Sequence, residues 1–138
     1  TVWDVTPYPL GINCYFGDEE LLSTIIAANT PIPTPAAGQP GAFAGAYSTR
    51  FPNQKSVTLD ILQYRGPKVP AASGADKVPP GECELLGSWN FNGLKPRKGK
   101  YAAFTVTFAI DADGILHLHA HETATGHHLD AHVDRGIG

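Results

Sequence analysis

The chain has 138 residues, enough for one domain with a real hydrophobic core. A formal net charge of −3, with 42% apolar and 17% charged residues, favours neither nucleic acid nor an anionic membrane as partner. No apolar run approaches a membrane span, and no charged-then-apolar leader opens the chain. The 15 glycines and 12 prolines argue for short strands and many turns rather than a helical bundle. Two cysteines, Cys14 and Cys83, make neither a disulfide framework nor a zinc spacing, and read as free thiols of a reducing, cytoplasmic compartment.

From the start, Pro7 and Pro9 keep the chain extended, and Leu10, Ile12 and Cys14 then alternate with Gly11 and Asn13 as in a strand. "GDEELLSTIIAANTPIP" is ambiguous. Asp18 suits a helix cap and Asn29 a helix end, yet Ser23, Thr24, Ile25 and Ile26 are weak helix formers, and helix and strand stay open on pattern alone. The small-residue stretch up to about Ala46 has no usable period. "SVTLDILQY" sets Val57, Leu59 and Ile61 against Thr58, Asp60 and Leu62, a clear strand. Arg65–Glu84 reads as a long surface loop rich in Pro, Gly and Ala. Two further strands follow, one carrying Leu86, Trp89 and Phe91, the other Phe104, Val106 and Phe108. Between them "KPRKGK" is a solvated turn, or a contact for an acidic segment.

"DADG" is a turn signal, and the remaining calcium-loop ligands are absent. Residues 115–134 then read as a β-hairpin around Thr123–Gly126. That register sets His121 opposite His128, His119 opposite Asp130 and His117 opposite His132, all on one face. Leu116, Leu118, Ala120, Leu129, Ala131 and Val133 fall on the other, so the histidines point outward. His117, His119, His121, His128 and His132 are candidates for zinc or copper, or for a pH-responsive patch, beside the plainer reading of a solvated strand face. No GxSxG, HExxH or phosphate-cradling glycine loop is present, which leaves little support for an enzyme. The whole reads as an all-β sandwich or barrel.

Five segments, in order, resemble the peptide-binding β-domain of the heat-shock protein 70 chaperones of the DnaK type: "DVTPYPLGI", "NTPIPT", "YSTRFPNQKSVTLDILQ", "LLGSWNFNGL" and "VTFAIDADGILHLHA". The resemblance implies an antiparallel β-sandwich with a groove for extended hydrophobic segments of unfolded proteins, and it selects strand over helix for Leu21–Ala28. It also implies an ATPase domain, which would hold the ATP, before this unit, a helical lid after it, and co-chaperones as further partners. Residues 1–6 correspond to the end of an interdomain linker and 7–138 to the peptide-binding unit, with no catalysis or cofactor of its own.

Carried over by position, Leu10, Ile12, Cys14 and Tyr15 form one side of the groove, and Tyr47, Ser48 and Arg50 the other. Val57 and Leu59 line the central pocket, Leu21 and Phe104 support it, and Gln54 and Thr58 lie near the peptide backbone. Tyr15 and Arg50 stand where the family arches over the bound chain. The arginine departs from the usual small or apolar residue, and a cation–π closure with Tyr15 is one expectation. "FGDEE" reads as a longer loop than typical, with Asp18, Glu19 and Glu20 beside the groove favouring basic peptides.

Overall fold

The computed structural model describes residues 4–70 and 76–136, with side chains described to residue 133. Among these, the strands are β1 (Leu10–Phe16), β2 (Glu19–Ile26), β3 (Phe43–Ser48), β4 (Val57–Tyr64), β5 (Cys83–Phe91), β6 (Ala103–Ile110), β7 (Ile115–Glu122) and β8 (His128–Gly136). They form two four-stranded antiparallel sheets, ordered β2-β1-β4-β5 and β3-β6-β7-β8. Their inner faces meet in one core: Leu10, Ile12, Leu59, Ile61 and Phe91 from the first sheet, and Phe104, Val106, Phe108, Leu116 and Leu118 from the second. The fold is the expected antiparallel β-sandwich.

The ambiguous segment is a strand, and its doubled apolar pairs have a cause. Leu22 points to the outer face of its sheet, where it packs with Leu62, Tyr64 and Val78 in a second, smaller core. Val78 comes from the Arg65–Glu84 segment, so the surface-loop expectation needs correcting. The segment's described ends dock on the sheet through the Leu22 N–H to Val78 carbonyl bond (2.8 Å) and a 3.1 Å Lys77–Glu19 ion pair. Pro80–Glu82 form a 3₁₀ turn, and β5 begins at Cys83. Residues 71–75 of that segment, and 1–3 of the opening one, lie outside the described residues.

A bulge explains how Leu86 shares the inner side with Trp89 and Phe91. Gly87 pairs with Ile61 and Leu85 with Leu62, which leaves Leu86 as the extra residue. The turn after Phe16 is shorter than expected: Gly17, with φ +67°, and Asp18 alone connect β1 to β2. Glu20 therefore sits directly across from Tyr15. Near the start, Thr6 is wholly buried; its hydroxyl donates to Ala27 O (2.8 Å) and accepts from Thr30 N–H (3.0 Å).

The β7–β8 hairpin has the register read from the sequence: His117 opposite His132, His119 opposite Asp130, His121 opposite His128. Its leucines are buried and its histidines lie on the outer face. Beside it, the "KPRKGK" turn is anchored rather than free. Buried Glu122 accepts the Lys95 N–H on both carboxylate oxygens (3.2 and 3.0 Å) and the Thr125 hydroxyl at 2.6 Å.

Candidate functional site: a cleft between diverging strands

β1 and β4 are hydrogen-bonded neighbours only over Leu10–Ile12 and Ile61–Gln63. Beyond that point β1 stays paired with β2 as far as Phe16, and β4 stays paired with β5 back to Val57. The inner edges of residues 13–16 and 57–60 thus face a gap with no ladder partner among the described residues. β3, an edge strand of the second sheet, leads into the wall across the gap. The resulting cleft has a volume of about 640 Å³. Such paired but unfilled strand edges are where an extended chain gains backbone hydrogen bonds.

The cleft floor is apolar. Ile12 and Leu59 are each 2% exposed and Phe104 5%, with half-buried Val57 beside them. Tyr47 stacks on Phe104 at 5.8 Å between centroids, and its hydroxyl shares a 2.9 Å hydrogen bond with Ser23 Oγ, tying the two sheets together. The Tyr47 ring lies over Gly45, where any Cβ would collide with the phenol. Burial pushes the Tyr47 pKa up to about 12, so it is a neutral hydroxyl and not a base. The Cys14 thiol on the near wall is likewise pushed up by burial, and it is free.

At the mouth, the Arg50 guanidinium stands 3.8 Å from the Tyr15 ring centroid and 5.2 Å from that of Phe51. It also pairs with Asp18 at 3.4 Å. Tyr15 belongs to one sheet and Arg50 follows the last strand residue, Ser48, of the other wall, so the contact bridges the opening. An exposed cation–π contact is worth about 0.5–1 kcal/mol, so the bridge is weak enough to open thermally. Gln54 braces the turn beneath it: its Oε1 accepts both the Arg50 and Phe51 N–H groups at 3.1 Å, and its Nε2 donates to Ser56 O at 2.8 Å.

All the groove residues expected from the resemblance line this cleft except Leu10 and Leu21. Leu10, paired on both sides with Ile26 and Gln63, lies above the point of divergence and is wholly buried in the sandwich core. Leu21 is buried opposite Cys14 and does not reach the opening. Thr58 lines the cleft, and its hydroxyl donates to Asn90 Oδ1 at 3.1 Å. Glu20, expected beside the groove, lines it, whereas sequence reasoning missed Asn13, Gly17, Thr49, Phe51, Asp60 and Tyr101 as lining residues. The loop aromatics Phe51 and Tyr101 carry no periodic signal.

The histidine face is built differently. It borders a second cavity, about 420 Å³, beneath the segment from Pro33 to Ala37. Three of its imidazoles have a carboxylate partner: His117 Nε2 with Asp111 Oδ2 at 2.9 Å, His119 Nδ1 with Asp130 Oδ1 at 2.6 Å, and His128 Nε2 with Asp130 Oδ2 at 3.7 Å. The hydrogen bond from His117 holds the Asp111 carboxyl below its ordinary pKa. His117 and His132 stand 5.9 Å apart ring to ring, and His119 and His121 6.4 Å. Among the described residues no three His, Cys, Asp or Glu side chains converge as a metal site, so the five metal candidates do not assemble one.

With the sandwich and its cleft in place, comparison with known proteins gives the family. The chain matches the family model described as Hsp70 protein over residues 1–136, and it belongs to that family. It is 34% identical over 136 residues to a protein named "Chaperone protein HscA homolog" from Rickettsia rickettsii (strain Sheila Smith), covering 97% of this chain and 19% of the relative. It is 37% identical over 123 residues to "Chaperone protein DnaK" from Burkholderia cenocepacia (strain HI2424), covering 89% of this chain and 16% of the relative. The chain thus spans less than a fifth of the length of these curated relatives. Among the described residues no helix is long and apolar enough to cross a membrane.

Proposed function

We propose that this chain is the part of an Hsp70 chaperone that holds extended, apolar segments of unfolded polypeptide, and that the β1–β4 cleft is where it holds them. The observation that carries the reading is the end of β1–β4 pairing at Ile12 and Ile61. Below it, the free strand edges of residues 13–16 and 57–60 flank a floor of Ile12, Leu59 and Phe104. A binder of unfolded chains must read what all chains share, a backbone plus occasional aliphatic side chains.

Each backbone hydrogen bond contributes about 0.5–1.5 kcal/mol net, whatever the client sequence. Seating one leucine-sized side chain over the floor adds about 1.5–3 kcal/mol. After association costs, micromolar affinity, near −8 kcal/mol, is the expected range. In this reading Val57, Leu59, Ile12 and Phe104 receive the side chain, with Cys14, Tyr15, Ser48 and Tyr47 as walls. Arg50 closes the mouth, Gln54 holds the Arg50 turn in place, and Thr58 stands at the strand edge.

The module reading assigns catalysis and ATP to an ATPase domain of the full-length protein, joined through residues 1–6. A helical lid and co-chaperones are the other partners, and the cytoplasm is the compartment.

Fluorescence anisotropy of a labelled, leucine-centred heptapeptide tests the reading. Micromolar binding to the unmodified chain, weakened at least about tenfold by Val57→Phe, is expected, because a phenyl ring there occupies the side-chain site. A folded chain that binds no such peptide contradicts it.

A further inference from the structure

The mouth of the cleft holds the parts that recognise a guanidinium group, already filled by one from the same chain. The Tyr15 ring face lies 3.8 Å from the Arg50 guanidinium, the Phe51 ring 5.2 Å away, and the Asp18 carboxylate 3.4 Å from Nη2. An aromatic face with a carboxylate beside it is the usual setting for an arginine side chain. We propose that Tyr15 and Asp18 form a receptacle for a client arginine, and that Arg50 is its resident plug. The inference rests on the cleft being a peptide groove.

Three observations favour exchange over a fixed strut. Every partner of the guanidinium is solvent-exposed: Tyr15 and Phe51 are 43% and 59% exposed, and the Asp18 side chain is fully so. Contacts of this kind are weak and readily replaced by an equivalent cation. The Arg50 backbone is held independently of its side chain, through the N–H bond to Gln54 Oε1, so the side chain swings away without disturbing the turn. Finally, Arg50 is the one basic side chain among the described residues lining the cleft, whereas Glu20 and Asp60 also line it and Asp18 stands at its rim. Withdrawal of Arg50 leaves an acidic opening, matched to an incoming positive charge.

The receptacle makes Arg50 a specificity-determining residue. A client arginine displaces Arg50 and takes over both contacts, at no net loss of cation–π or ionic pairing. A client lacking a cation passes under or beside the bridge and gains neither. The resident plug therefore masks most of the preference for arginine-bearing clients, and removing it exposes that preference.

The test compares two labelled heptapeptides of one sequence, leucine-centred, with arginine or its neutral isostere citrulline at the flanks. Each is titrated by anisotropy into the unmodified chain and into Arg50→Gln at low and high salt. The arginine peptide is expected to bind Arg50→Gln about five- to tenfold more tightly than it binds the unmodified chain. The citrulline peptide should gain at least about threefold less than the arginine peptide, and the difference should shrink at high salt. Arg50→Gln/Asp18→Asn should erase most of it. Equal gains for both peptides would make Arg50 only a steric bar, and losses for both would make it a direct client contact; either result overturns the proposal.

A separate readout keeps the receptacle apart from the groove. In Arg50→Gln, millimolar N-acetylarginine amide should shift the Tyr15 ring resonances, and in Arg50→Gln/Asp18→Asn it should not. If no peptide binds but this shift is present, the receptacle stands and the peptide-groove reading falls. If the shift is absent, the receptacle falls whatever the peptides do.

Discussion

The two outer regions with cavities, the β1–β4 cleft and the histidine face of β7–β8, differ in one decisive respect. The histidine face is richer in chemistry by composition, yet its polar groups meet local partners: Asp111 with His117, Asp130 with His119. Its central strand β7 is hydrogen-bonded to β6 on one side and β8 on the other. The cleft is plainer in composition, but there two strands part and leave backbone edges without ladder partners among the described residues. In the proposed reading, binding capacity follows unfilled backbone edges over an apolar floor, not the density of side chains that catch the eye in the sequence.

That contrast can be broken by substitutions on either side. The largest stability effect should come from the core under the histidines. Leu118→Ala deletes a side chain 3% exposed, and a loss of about 2–5 kcal/mol in urea unfolding is expected. The folded fraction should bind a leucine-centred peptide as before. Val57→Phe should do the reverse, with binding weakened at least about tenfold and stability changed by less than about 2 kcal/mol, since Val57 is only half buried at the cleft wall. A variant that loses both properties together would erase the distinction between the two regions.

Cys14 gives a sharper probe of the cleft alone. Its wall position means bound peptide should slow alkylation by iodoacetamide, while Cys83, remote from the cleft, should be unaffected. Burial favours the neutral thiol at both positions, raising the pKa of Cys14 and taking Cys83 to about 11. Alkylation of each should therefore keep rising with pH beyond the range where an ordinary thiol has levelled off. Rates that plateau near pH 9 would contradict that environment.

The smallest effect should be at Asp111. Its folded-state carboxyl titrates below the ordinary value, chiefly through the hydrogen bond from His117. The unfolded chain therefore takes up the proton first. The associated stability is intact above the ordinary carboxylate pKa and is lost as pH falls through the depressed native one. Asp111→Asn should remove that acid-side component in urea titrations across pH 5 to 2, with little change in peptide affinity.

Legibility in the sequence tracked how local each feature is. Strands with one wet face announced themselves: β7 and β8 alternate leucine with histidine, and their register followed from the turn residues. β2 did not, because Leu21–Leu22 and Ile25–Ile26 serve two cores at once. Its second face is covered by Val78, from a segment far along the chain, and no window around β2 carries that information. The same cover buries Leu62 and Tyr64 on a face of β4 that begins with exposed Thr58.

For the site, the family resemblance named the residues of the floor and much of the walls, but not the opening itself. Leu10, Ile12 and Cys14 look alike as an alternating row. Only the point at which β4 leaves β1 separates core Leu10 from cleft Ile12 and Cys14, and that point is set by tertiary packing. The expected cation–π closure of Tyr15 and Arg50 is present, and its carboxylate partner, Asp18, comes from a turn shorter than the sequence suggested.

The most direct test of the cleft as the binding site is residue-resolved amide hydrogen exchange with and without a saturating leucine-centred peptide. The account predicts slowed exchange within residues 13–16 and 57–60, whose inner edges face the gap, and unchanged exchange in β7 and β8 beneath the histidines. Protection confined to β7 and β8, with the cleft edges unaffected, would contradict it.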